Sequence, residues 1–158
     1  MVLNKDQVLS FLPHRDPFLF IDTVEEITVP DDAVEKNYEG CSVIANFYAD
    51  PELDIFKGHF PGRPILPGVV QVEMMAQASS FVITKIDSSV FNEDIDVELA
   101  LLAVNGAKFR KPVLPGMNLK IHAVCARRRG KLMNYDCKIY CEGQLMSEAS
   151  LMASTNIG

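Results

Sequence analysis

The stretch that decides the fold is Gly58-His59-Phe60-Pro61-Gly62-Arg63-Pro64-Ile65-Leu66-Pro67-Gly68. It runs directly into Val69-Val70-Gln71-Val72-Glu73-Met74-Met75-Ala76-Gln77-Ala78-Ser79-Ser80-Phe81-Val82-Ile83-Thr84. Prolines and glycines exclude regular structure from the first half, because each proline removes a backbone donor and fixes φ. The second half carries neither residue and is apolar almost all the way round, which predicts a buried helix. Glu73 is the only charged side chain from Pro64 to Thr84. A carboxyl alone in such a run is costly unless it is paired or protonated. The sequence therefore predicts a raised pKa for Glu73 or a cationic partner, with Arg15 and Arg63 as candidates. His59 stands in the stiff loop just upstream, and imidazole exchanges its proton near neutral pH.

Outward from that stretch, the chain of 158 residues has the length of one domain, residues 1–158, with a sizeable core. Its 48% apolar and 23% charged residues are an ordinary globular composition, and a net charge of −6 argues against a nucleic-acid binder. The N-terminus lacks the basic and apolar regions of a signal peptide. Gln71, Glu73, Gln77, Ser79 and Ser80 interrupt the helix too often for a membrane span. Cys125 and Cys137 fall on the apolar phase of alternating segments. With Cys41 and Cys141 they are expected as free thiols in a reducing cytoplasm.

Asn4 and Gln7 form a helix-capping pair, and Val8, Leu9, Phe11 and Leu12 supply a face for a short helix ending at Pro13. His14 lies between Pro13 and Pro17 and reads as a turn residue bound to backbone. Residues 18–28 and 33–48 read as strands, with a bend at Gly40. Residues 50–54 read as a loop, and residues 87–96 as polar and irregular. Four β segments follow, at 98–109, 118–126, 131–140 and 145–154. Leu119, Ile121, Ala123 and Cys125 share one face, as do Met133, Tyr135, Cys137 and Ile139; His122 falls on the polar phase and reads as solvated. The segments read as a meander. The fold class is α+β: a curved antiparallel sheet wrapped on a central helix. One sheet covers one side of a helix, so a second copy of the chain is the expected cover for the rest.

Three motifs resemble the (3R)-hydroxyacyl-acyl-carrier-protein dehydratases of the FabZ type. They are Leu12-Pro13-His14-Arg15-x-Pro17-Phe18-Leu19, then Gly58-His59-Phe60-Pro61 through Glu73-x-x-Ala76-Gln77, then Lys108-Phe109-Arg110-x-Pro112-Val113-x-Pro115-Gly116. The resemblance covers nearly the whole chain. It implies the hotdog fold, dimers that often group into hexamers, and a site with His59 from one chain and Glu73 from the other. Asp16, Leu99 to Leu101, and Met117 depart from the family pattern, the second where an aromatic gate over the acyl tunnel is usual. None removes a catalytic residue.

The residue types suit that chemistry. Dehydration of a β-hydroxyacyl thioester needs a base for the α-proton, an acid for the leaving hydroxyl, and donors for the developing enolate oxygen. His59 suits the base and Glu73 the acid. The free N–H groups of Gly68 and Val69, at the helix N-terminus, suit the donors, and Phe60 is a further substrate-binding candidate. No metal or organic cofactor is required. Met74, Met75 and Phe81 are core or tunnel lining. Lys108 to Lys111 and Arg127 to Lys131 are solvated or dock an acidic carrier protein. Alternatives within the fold are an acyl thioesterase, an isomerising dehydratase (which carries Asp at the position of Glu73), and a non-catalytic acyl-binding protein.

Overall fold

The computed structural model describes residues 2–86, 91 and 97–157. Most of the segment 87–96, read above as irregular, lies outside the described residues. The capping pair is present in both directions, and helix α1 (Lys5–Phe11) buries Val8 and Phe11 before the chain leaves it at Leu12. Strand β1 (Thr23–Thr28) pairs with β2 (Ser42–Tyr48). A short helix α2 (Asp54–Gly58) leads into the Pro-Gly loop, and α3 (Gly68–Ser79) follows it. The helical path continues as a 3-10 helix over Ser80–Lys85. The tightening begins where the Ser80 hydroxyl donates to the carbonyl of Ala76, the acceptor that an α-helix would give to its backbone N–H.

Strands β3 (Val97–Phe109), β4 (Asn118–Arg129), β5 (Leu132–Cys141) and β6 (Gln144–Ile157) complete one antiparallel sheet, in the order β1-β2-β4-β5-β6-β3. Both predicted alternating faces are buried, on β4 and on β5, and α3 lies chiefly against these strands. Met74, Met75 and Phe81 are core. This is the hotdog fold: a central helix in the concave face of a curved sheet.

Four readings of the sequence need correction. Residues 18–22 are not strand. The N–H of Phe20 donates to the side-chain carbonyl of Gln77, and the carbonyl of Phe18 accepts from the same amide, so a helix side chain takes the place of a neighbouring strand. Residues 31–40 are turns, and β2 begins only after Gly40, the predicted bend. The third concerns the meander, which holds for β4, β5 and β6 only. The link from β3 to β4 contains Pro112 and Pro115, does not close a hairpin, and leaves β3 beside β6 at the sheet edge. Residues 50–54 were expected as loop; α2 takes its first residue, Asp54, from them.

The central helix is better covered than one sheet alone suggested. Val69 is exposed, whereas Val72, Glu73 and Ala76 are half-buried and most of the rest is buried. A run of exposed apolar side chains lies on β3, where Leu101, Leu102, Val104 and Phe109 are 40–50% exposed. His122 is half-buried, edge-on to Tyr140 at 4.9 Å. Burial first, then the Lys120 charge, holds its pKa below the ordinary value. All four cysteines are free.

Candidate active site

The Pro-Gly loop is tied by backbone hydrogen bonds. The N–H of His59 donates to Ile55, that of Ile65 to His59, and Phe60 and Arg63 bond each other reciprocally at 2.9 and 2.8 Å. Gly62 turns this Phe60–Arg63 corner at φ +72°, a conformation that side chains disfavour. Within the frame, Nδ1 of His59 lies 2.7 Å from the carbonyl oxygen of Ile65. A carbonyl only accepts, so Nδ1 carries the proton and Nε2 keeps the lone pair that a base needs. Phe60 stacks on the imidazole with ring centroids 3.9 Å apart.

The loop delivers the chain to α3 with its first N–H groups open. Val70 and Gln71 donate back to the carbonyl of Pro67, while among the described residues the N–H groups of Gly68 and Val69 find no acceptor. The ring of Phe109 closes over Gly68. A Cβ at that position would stand 2.8 Å from its Cζ, so any larger residue would have to displace the ring. His59, Gly68, Val69, Phe109, Arg110 and Lys111 thus share one groove.

Glu73 lies elsewhere. It opens onto a cavity of about 70 Å³ shared with His14, Gln77, residues 99–101 of β3 and residues 153–155 of β6. The two concavities have no lining residue in common, so one chain does not place His59 and Glu73 around a single opening.

Neither Arg15 nor Arg63 pairs with Glu73. The guanidinium of Arg15 donates to the carbonyls of Leu9, Leu12 and His14, and Arg63 is exposed. The partner is His14, whose Nε2 lies 3.3 Å from Oε1 of Glu73. The turn residue expected to bind backbone thus faces the carboxyl. Gln77, one turn along the helix, donates to the same oxygen at 3.0 Å. The raised pKa expected for Glu73 is therefore corrected. Burial is the largest influence and pushes it up, but the side-chain interactions with His14 and then Gln77 together outweigh it, and the carboxyl sits below its ordinary range. Gln77 was missed as a site residue, although its spacing of four from Glu73 puts both on one helix face.

The basic runs separate. Arg110 and Lys111 line the His59 groove, with Arg110 paired to Glu148 at 3.1 Å. Arg127 to Arg129 occupy the far end of β4, where Arg128 stacks over Tyr38. No helix among the described residues is long and apolar enough to cross a membrane.

The fold matches solved hotdog structures. A dehydratase heterocomplex (ApeI:P) from Xenorhabdus doucetiae superposes with a TM-score of 0.72 at 19% identity, over 94% of this chain and 90% of that one. The FabA-like domain model matches residues 12–150. A 3-hydroxyacyl-[acyl-carrier-protein] dehydratase FabZ from Anaeromyxobacter sp. is 35% identical over 153 residues, covering 96% of this chain and 89% of the relative. The FabZ of Nitratiruptor sp. is 36% identical over 154 residues, covering 96% and 97%. The chain belongs to the FabA-like family, and its near-full-length relatives there are FabZ dehydratases.

Proposed function

We propose that the chain is a 3-hydroxyacyl-[acyl-carrier-protein] dehydratase of fatty-acid biosynthesis, converting (3R)-hydroxyacyl thioesters to trans-2-enoyl thioesters. The observation that carries the reading is near-full-length similarity to FabZ enzymes, joined to a histidine whose Nε2 is free to act as a base. Nε2 of His59 takes the α-proton, and the C–H electron pair becomes the new double bond. Glu73 protonates the hydroxyl, which leaves as water. The thioester oxygen accepts from the N–H groups of Gly68 and Val69 as charge develops on it. Glu73 acts from its protonated form. Substrate that displaces water from the cavity adds to burial, the influence that already favours that form. The test is hydration of a crotonyl thioester followed by ultraviolet absorbance. Loss of the enoyl band without release of free thiol is expected; stoichiometric thiol release would make the protein a thioesterase.

The working site takes His59 from one chain and Glu73 from a second. The separate concavities support this, as does β3, a thirteen-residue edge strand with exposed Leu101, Leu102 and Val104. The assembly is a two-fold dimer, open to further grouping. Four free thiols suit a reducing cytoplasm.

The carrier protein docks beside the His59 groove, through Lys108, Arg110 and Lys111. Charge reversal at Lys108 and Lys111 raises KM for carrier-bound substrate and leaves a small N-acetylcysteamine thioester unaffected. The difference fades with salt, because exposed charges are screened within about 10 Å at 0.1 M. Equal losses on both substrates would exclude docking.

A further inference from the structure

The carboxyl of Glu73 is held unevenly. The Gln77 amide donates to Oε1 at 3.0 Å, His14 Nε2 approaches the same oxygen to 3.3 Å, and among the described residues no donor reaches Oε2. Each partner is itself fixed. The Gln77 amide is engaged on its other sides by the carbonyl of Phe18 and the N–H of Phe20. The His14 ring lies over Phe18 at 6.5 Å with planes 19° apart, and its carbonyl accepts from Arg15. The remaining ring nitrogen, Nδ1 of His14, is buried and has no partner. An unpaired lone pair in that position costs less than an unpaired N–H on a charged ring. The neutral ring with its proton on Nε2 is thus the form that fits, and Nε2 lies 3.3 Å from Oε1.

We infer that His14 is a positioning residue for the acid: with Gln77 it saturates Oε1, so the proton that Glu73 delivers is carried on Oε2. This rests on the reading of Glu73 as the acid. An oxygen already accepting two donors has no lone pair left for a proton. Without His14, Oε1 can take the proton instead, and its place on the carboxyl is no longer fixed. No other charged side chain among the described residues lines the cavity. Its remaining titratable group, Tyr135, has its hydroxyl on Met133 Sδ, and Arg15 is turned onto backbone carbonyls. The sign of the pH effect follows. A donor to the ionised carboxylate lowers its pKa, so removing that donor raises it. The limb on which kcat falls as the acid loses its proton then moves to higher pH.

The test is the pH profile of kcat and KM for wild type, His14→Leu and His14→Gln. We expect His14→Leu to lose about tenfold in kcat, the scale of one charge-assisted hydrogen bond, with KM changed less than about twofold. Its alkaline limb rises by about one pH unit. His14→Gln, which can donate without titrating, recovers most of kcat and returns the limb toward wild type. An unmoved limb in a folded His14→Leu enzyme overturns the proposal. If His14→Leu does not fold, nitrogen NMR of the wild-type ring decides. The Nε2–H tautomer above neutral pH, with an N–H resonance that moves in Glu73→Gln, is expected. The Nδ1–H tautomer, or an indifferent resonance, overturns it. The acid reading fails separately, through a Glu73→Gln enzyme that keeps its turnover.

Discussion

His59→Ala and Glu73→Gln each lower kcat by at least about 10²-fold, the scale of a lost general base or acid, with circular dichroism unchanged. The fold should survive the first change because backbone bonds hold the loop: His59 to Ile55, Ile65 to His59, and the Phe60–Arg63 pair persist without the imidazole. Glu73→Gln is the sharper of the two. It preserves side-chain size and an oxygen that can accept from His14 and Gln77, and removes only the proton to be delivered. Near wild-type turnover in either folded variant ends the assignment of that residue.

Mixing the two inactive proteins restores activity. In each mixed dimer one site carries both lesions and the other carries none, so random pairing recovers about a quarter of the sites, by the two-fold symmetry of such an interface. The experiment separates a site split between chains from one contained in a single chain. Proven subunit exchange without recovery would put His59 and Glu73 to work within one chain. A monomer by light scattering at micromolar concentration would remove the dimer altogether.

What could be read from the sequence was what is local in the chain. Leu119 to Cys125 and Met133 to Ile139 alternate because a strand has a period of two, and neither needs knowledge of its neighbour. The Pro-Gly loop and the helix behind it were equally visible. Pairing over distance was not. The apolar run at Phe18 resembles a strand, yet its backbone groups are met by Gln77, 57 and 59 residues along the chain. The place of β3 beside β6 likewise depends on a non-local choice, although two prolines in its link to β4 argued against a hairpin. The site divides in the same way. His59, Gly68 and Val69 lie within one stretch, and the structure places them on one groove. The His14–Glu73 contact joins two motifs, and only folding reveals it. It also reversed the expected pKa shift of Glu73, because burial was legible in the apolar helix and the two opposing donors were not.

Residues 99–101 of β3 wall the Glu73 cavity, while the outer edge of that strand has no strand partner among the described residues. In the proposed dimer, an acyl chain entering the cavity and a second copy meeting the edge would act on two sides of one element. In such a dimer, any ordering of β3 by one event would lower the cost of the other, and by thermodynamic reciprocity substrate would then tighten assembly by the same factor as assembly tightens substrate binding.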